Sequence, residues 1–107
     1  MFNGKRYITR GIKENIRVDM QIYMWKLIDK LKRKENFQLD YLQVFKLEPK
    51  KIDGLTFQKI IHKQEVEPYS DTKIVSVSDI VSKKIFVISS TDEEGQEYST
   101  MMLSNEY

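Results

Sequence analysis

One amphipathic helix dominates the pattern of this sequence and constrains the fold more than any other feature. Over residues 19 to about 33, apolar residues recur at steps of three and four, which is the spacing of one helical face. The stripe comprises Met20, Tyr23, Met24, Leu27, Ile28 and Leu31. Asp19 is suited to cap the first turn, and Asn36 to end the helix in a left-handed conformation. Such a stripe must be buried against another element.

The rest of the chain has the composition of β-strands separated by turn signals. β-branched and aromatic residues cluster in six segments, at residues 5–10, 41–48, 56–66, 72–77, 84–89 and 97–103. The last five segments follow one another over short connections, so we expect an antiparallel meander. The prediction is an α+β fold of order β-α-β-β-β-β-β, with one helix packed on a bent, roll-like antiparallel sheet of about six strands. A small closed barrel with the helix at one end is the alternative.

Length and composition limit both the number of domains and the chemistry. A chain of 107 residues predicts one domain over 1–107, and the absence of cysteine excludes thiol nucleophiles, disulfides and cysteine-based metal sites. The residue spacing indicates no metal or cofactor site. No run approaches the roughly 20 apolar residues of a membrane span, and the first seven residues lack the apolar core of a signal peptide. We therefore expect a cytoplasmic protein with no membrane partner.

Charge is distributed unevenly along the chain. The net charge is only +2, but residues 1–34 hold ten basic and three acidic residues, whereas residues 85–107 hold five acidic residues and no Lys or Arg. A basic segment can bind polyanions, or an acidic segment can lie beside it and neutralise it. Both alternatives stay open. The candidate polyanion patch consists of Lys26, Lys30, Lys32, Arg33 and Lys34.

The single histidine, His62, lies in the middle of the third predicted strand. Its unperturbed pKa of about 6.5 would suit acid–base chemistry. No Ser, Cys or Asp motif stands beside it, however, and a lone histidine on a strand is more often structural. We therefore expect no enzymatic activity. If a small-ligand pocket exists between the helix and a curved sheet, the candidate lining residues are Tyr7, Arg10, His62 and Tyr98.

Several predicted strands are apolar on both faces. Phe45 and Val44 fall on opposite faces of one strand, as do Phe86 and Val87 of another. One helix can cover only one face of a sheet. Either the sheet curls enough to bury its own second face, or a partner covers that face.

The chain also resembles a known family over most of its length. The resemblance rests on Gly-Lys-Arg-Tyr-Ile-Thr-Arg-Gly-Ile at 4–12 and on residues 25–28, 40–45, 58–65, 84–88, 98–103 and 106–107. These segments resemble domain-of-unknown-function family nine-sixty, found in staphylococci, enterococci and related Firmicutes, often on phages and mobile chromosomal cassettes. The resemblance implies a stand-alone cytoplasmic α+β roll. It implies no activity, so no functional residues carry over.

These observations together predict a non-enzymatic interaction module. The expected partner is another protein or a second copy of the chain, bound through the sheet face that the helix leaves bare. The alternative is a nucleic-acid-binding accessory protein that uses the basic N-terminal third, in which case binding weakens steeply with salt.

Overall fold

Two helices cover one face of a six-stranded sheet in the computed structural model, which describes all 107 residues. In chain order the elements are β1 Lys5–Ile8, α1 Arg10–Asn15, α2 Val18–Lys32, β2 Leu42–Ile52, β3 Leu55–Gln64, β4 Tyr69–Val75, β5 Lys83–Thr91 and β6 Glu97–Leu103. A 3₁₀ turn, Ser104–Glu106, follows β6. The principal extents are 51 × 33 × 20 Å, and the shortest matches two packed layers. The predicted α+β class is confirmed.

The main helix, α2, buries the predicted stripe. Met20, Met24, Ile28 and Leu31 are buried at helical spacing. The capping prediction for Asp19 is wrong, because the helix begins at Val18 and Asp19 lies inside the first turn. There its carboxylate accepts a hydrogen bond from the amide of Met20 at 2.9 Å and suits the positive end of the helix dipole.

The turns around the helices follow the local residue types. Asn36 adopts the predicted left-handed backbone, with φ of 55°. The sequence pattern missed α1, a six-residue helix whose first residue falls in the first predicted strand. Thr9 caps it, because its hydroxyl oxygen accepts from the amide of Ile12 at 3.4 Å.

The sheet is mixed, with strand order β1-β6-β5-β2-β3-β4. The pairs joined by hairpins are antiparallel as predicted, but β1 runs parallel to β6. The helix layer separates β1 from β2 in the chain, so no hairpin sets the direction of β1. The meander prediction is also wrong at one place, because β5 pairs with β2 rather than with β4. With β1 and β4 at its edges the sheet is open, and the barrel alternative is not adopted.

The connection between β4 and β5 explains the change of strand order. Residues 76–82 cross the sheet on its helix-covered side, and Val77 and Val81 pack against the core. The side chain of Gln58, fully buried on β3, holds this crossing through two hydrogen bonds to the backbone of Val81, at 2.8 and 3.1 Å. The chain therefore passes over β3 and β2 before it adds β5 on the far side of β2.

The second strand continues through Pro49, although the predicted strand ends at residue 48. β2 continues to Ile52, because β5 pairs with β2 only from Leu42 to Leu47. Beyond that point β2 is an edge strand on one side, where a residue without an N–H group is tolerated.

The core lies entirely between the helices and one face of the sheet, which we call the helix-side face. Alternate strand residues such as Phe45, Ile60, Ile85 and Met101 are fully buried there against α1 and α2. Their sequence neighbours point to the opposite face. No helix covers that opposite face, which we call the open face; at one end of it the ring of Tyr107 meets Phe86 edge to face at 5.8 Å.

Candidate functional site

The four residues of the candidate pocket do not meet. Tyr7 and Tyr98 lie on the neighbouring strands β1 and β6 with their rings edge to face, 6.0 Å between centroids. Arg10 is exposed on α1 and pairs with Glu14 at 2.8 Å. His62 lies on β3, three strands away from β6. The prediction of one pocket assumed a curled sheet, and the open sheet order separates its members.

The candidate polyanion patch is divided between two sides of the helix. Lys30, Arg33 and Lys34 line a cleft at the C-terminal end of α2. Lys32 is held elsewhere, because its ammonium group donates to the carbonyl of Phe2 at 3.1 Å and to the side chain of Asn3 at 2.7 Å. Lys26 is exposed on α2 and does not line the cleft. Three of the five predicted residues are therefore brought together.

The basic and acidic ends of the chain lie side by side. β1 pairs with β6, and the N-terminal ammonium group lies 2.9 Å from the carboxylate of Glu97. Hydrogen bonds from that ammonium group and from Asn3 lower the pKa of Glu97. The carboxylate of Glu106 accepts from the hydroxyl of Thr9 at 2.6 Å, which lowers the pKa of Glu106. The acidic tail thus holds the N-terminal segment in place.

Three buried side chains, those of Gln43, His62 and Gln64, form a hydrogen-bonded relay beside the C-terminal half of β3. The Gln64 amide nitrogen donates to three backbone carbonyls, those of residues 38, 66 and 67, at 2.7 to 3.0 Å. This sets the orientation of the Gln64 amide, so its oxygen accepts from the side chain of Gln43 at 2.7 Å. The oxygen of the Gln43 amide must then face His62, where it lies 2.7 Å from Nε2.

The relay determines the tautomer of His62. Because an amide oxygen only accepts hydrogen bonds, Nε2 of His62 carries the proton and donates to Gln43. The other ring nitrogen, Nδ1, is then a bare acceptor in the neutral imidazole. Nδ1 makes no hydrogen bond, and the only fully buried side-chain polar atom without a partner is Oγ of Ser99. Solvent therefore reaches Nδ1.

The ring of His62 is packed among aromatic side chains. It stacks on Phe45 with 4.3 Å between centroids, and Tyr69 meets it edge to face at 5.5 Å. Burial lowers the pKa of His62 to about 4, against an opposing effect of the Asp71 carboxylate. At neutral pH the imidazole is uncharged.

The cleft beside this histidine has a basic rim. We call it the helix-end cleft; its volume is about 420 Å³, and it is lined by Leu27, Lys30, Leu31, Arg33, Lys34, His62, Tyr69, Asp71 and Lys73. Lys73 and Asp71 pair at 3.2 Å, whereas Lys30, Arg33 and Lys34 form no ion pair. Four cations thus converge with one carboxylate around a neutral His62.

The open face is both apolar and basic. The strand registers place half-buried apolar side chains along its middle, namely Leu42, Val44, Phe57, Ile61, Phe86, Ile88, Tyr98 and Met102. Six lysines lie among and around them, namely Lys5, Lys46, Lys50, Lys59, Lys63 and Lys84. Glu48 is the one acidic residue on this face, and it contacts Lys46 and Lys59 at 3.8 and 3.6 Å.

The excess charge of the protein therefore lies on the open face. Six of the 18 basic residues and one of the 16 acidic residues are there, which leaves 12 basic and 15 acidic residues for the rest of the chain. The open face carries +5 and the remainder carries −3. This concentration is not visible in the segment charges, because the lysines come from four different strands.

The sequence does contain a signal for this face. Lys46, Lys59, Lys63 and Lys84 occupy the same alternation as Val44, Ile61 and Phe86 in their strands. Charges counted by strand face rather than by segment would reveal them. The helix-end cleft has no such signal, because β4 and the end of α2 meet only in the tertiary structure.

Two further features of the structure bear on candidate sites. No group of three or more histidine, aspartate or glutamate side chains is arranged so that it could hold a metal ion. Neither helix has the length and apolarity needed to cross a membrane.

The architecture defines a two-layer α+β domain with one sheet face uncovered, and the comparisons agree with it. The family model for staphylococcal proteins of unknown function, DUF960, matches residues 5–106, and the chain belongs to this family. The crystal structure of a protein of unknown function from Enterococcus faecalis is similar over 100% of this chain and 98% of that chain. Its TM-score is 0.69 and its identity 21%, which shows a shared fold. A comparison with curated proteins finds no match.

Proposed function

We propose that this protein is a non-catalytic interaction module that binds single-stranded nucleic acid across its open face. The charge of that face carries the proposal, since six lysines and one glutamate occupy it while the rest of the chain is net acidic. A cationic surface of this kind attracts a phosphate backbone and releases its condensed counterions. The proposed nucleic-acid-binding surface is therefore the open face of the sheet and not the basic N-terminal third of the sequence.

A pair of lysines at the centre of the face has an unfavourable arrangement. Lys46 on β2 and Lys84 on β5 lie directly opposite each other across the strand pair. Like charges in this relation destabilise a sheet, because their Cβ atoms are only about 5 Å apart. An anionic group bound between the two ammonium groups would offset this repulsion.

The aromatic residues of the face supply surfaces on which bases can stack. Tyr7 is 49% exposed at one edge, with Tyr98 beside it. Phe86 lies further along the face, with the ammonium group of Lys84 5.7 Å from its ring centroid. Stacking on aromatic rings does not depend on base sequence, and together with a basic surface it is the usual basis of single-strand binding.

The same charges disfavour a second copy of the chain as the partner of this face. Two open faces packed together would bring +5 against +5 in a desolvated contact, which like-charge repulsion opposes. A protein partner would have to be acidic. An acidic protein is therefore the competing outcome of the test.

Fluorescence anisotropy with labelled DNA and RNA strands of about 20 nucleotides tests the proposal at low salt. The double variant Lys46→Gln/Lys84→Gln should weaken binding about tenfold and reduce the salt dependence of log K by about 1.4, at roughly 0.7 per lost phosphate contact on a single strand. Tyr7→Ala should weaken binding by a further few-fold, because a stacking surface is lost.

The matched control is Lys13→Gln/Lys26→Gln, which removes the same charge from exposed helix residues. It should change binding by less than about twofold, because salt screens exposed charges that lie far from the bound strand. Equal weakening by both double variants, or no binding of either nucleic acid, would contradict the proposal. Poly-glutamate that competes as well as the oligonucleotide would favour the acidic protein instead.

A further inference from the structure

The helix-end cleft lies on the helix-side face and is separate from the open face. It opens between the last turns of α2 and the strands β3 and β4, and its volume of about 420 Å³ is within the range of small-ligand pockets. Its walls come from three elements, so that no single stretch of sequence produces it.

The rim of the cleft is suited to an anion. Lys30, Arg33 and Lys34 have no acidic partner, and Lys73 shares its charge with Asp71. Cations near the end of a helix also offset its dipole, but that effect is largest within the last turn and needs no fourth cation from a strand. The ammonium group of Lys34 lies over the rings of Phe37 and Tyr69, at 5.1 and 5.5 Å, which positions it at the cleft.

The inner wall of the cleft includes His62. His62 is only 3% exposed, and the glutamine relay forces its proton onto Nε2. The free Nδ1 lone pair can therefore accept one hydrogen bond from a ligand. Burial of an imidazole against Phe45 costs free energy that burial of an apolar side chain there would not. A ligand that donates to Nδ1 would give this polar atom a role.

A ligand that binds both the basic rim and Nδ1 of His62 must carry an anionic group and a hydrogen-bond donor. We propose that the helix-end cleft binds a phosphate ester with a nearby hydroxyl group, its phosphate among Lys30, Arg33 and Lys34 and its hydroxyl donating to Nδ1 of His62. A sugar phosphate has both groups at a spacing that a cleft of this volume accommodates. Arginine and lysine are the residues that bind phosphate oxygens most strongly.

Ribose 5-phosphate is the probe, with ribose and inorganic phosphate as partial ligands, measured by calorimetry and by NMR of the ring of His62. Ribose 5-phosphate should bind at least about tenfold more tightly than either partial ligand, because it satisfies both parts of the site. Its addition should shift the ring resonances of the single histidine. Arg33→Gln/Lys34→Gln should weaken its binding about tenfold or more.

Two controls distinguish binding in the cleft from binding elsewhere on the protein. Lys13→Gln/Lys26→Gln should leave the affinity for ribose 5-phosphate unchanged, and so should Lys46→Gln/Lys84→Gln on the open face. Equal affinity for inorganic phosphate would overturn the role of His62, and no binding would overturn the site. If Arg33→Gln/Lys34→Gln lowers stability without changing the affinity for ribose 5-phosphate, these cations offset the helix dipole and do not bind the ligand. None of these results depends on binding at the open face.

Discussion

The two faces of the sheet are built from alternate residues of the same strands, yet their polar groups serve different ends. On the helix-side face, buried polar side chains such as Gln43, Gln58 and Gln64 are engaged in hydrogen bonds that hold loops and a crossing connection. On the open face the polar groups are lysine ammonium groups at the surface, two of them directly opposed. One face contains the core and its hydrogen-bonded polar groups, whereas the other carries an excess of positive charge.

Packing should distinguish the two faces most strongly. Ile85 and Ile88 lie on the same strand, but Ile85 is fully buried under the helices and Ile88 is half-buried on the open face. Ile85→Ala should lower the free energy of unfolding by about 2–5 kcal/mol. Ile88→Ala should lower it by only about 1 kcal/mol. Urea denaturation followed by the fluorescence of Trp25 measures both, and equal losses would mean that the open face is covered in solution.

A second contrast depends on pH, because only the helix-side face buries a titratable ring. Burial holds the pKa of His62 near 4 in the folded protein, below about 6.5 in the unfolded chain. The unfolded state therefore binds the proton first, and stability falls as pH decreases from about 6.5 to 4, by about 3 kcal/mol in total. The urea denaturation midpoint should be measured between about pH 7 and pH 5, because the carboxylates whose pKa values are lowered stay ionised over this range. His62→Gln should flatten this dependence, and an unchanged slope would show that another group causes it.

The smallest expected difference between the two faces is electrostatic. Here a substitution on the open face should raise the free energy of unfolding rather than lower it. Lys84→Glu converts the opposed lysine pair into an opposite-charge pair with Lys46, which should raise the free energy of unfolding by about 0.2–1 kcal/mol. The same change should abolish most binding to the open face, because it removes two units of positive charge. Lys26→Glu is the control and should affect neither property. A variant that is more stable and binds less would establish that the lysine pair serves binding.

Much of the fold could be predicted from local pattern. The α2 stripe and all six strands are predicted within a few residues, because helical and strand periodicities are properties of neighbouring residues. The parallel β1 and the insertion of β5 beside β2 could not be predicted, since both depend on where the chain crosses the sheet. The capping prediction for Asp19 failed because the cap position is occupied by Arg17, two residues earlier in the chain.

The candidate sites were predicted only in part. Lys30, Arg33 and Lys34 belong to a basic cleft. The prediction grouped them with Lys26 and Lys32 because all five are close in the chain. His62 stands out as the single histidine, whereas its partners Gln43 and Gln64 carry no signal of their own. Residues within a site are brought together from distant segments, so composition by segment averages them with their neighbours.

Consecutive residues encode the α+β class, the amphipathic helix and the strands with two apolar faces, because alternation and helical spacing are local patterns. Alternation within each strand places the lysines opposite the core residues of that strand, but local pattern does not encode which strands become neighbours, or that His62 lies under the end of α2. Both follow from strand order and register, which determine which charges become neighbours. That order in turn depends on the long-range burial of the core between the helices and the sheet.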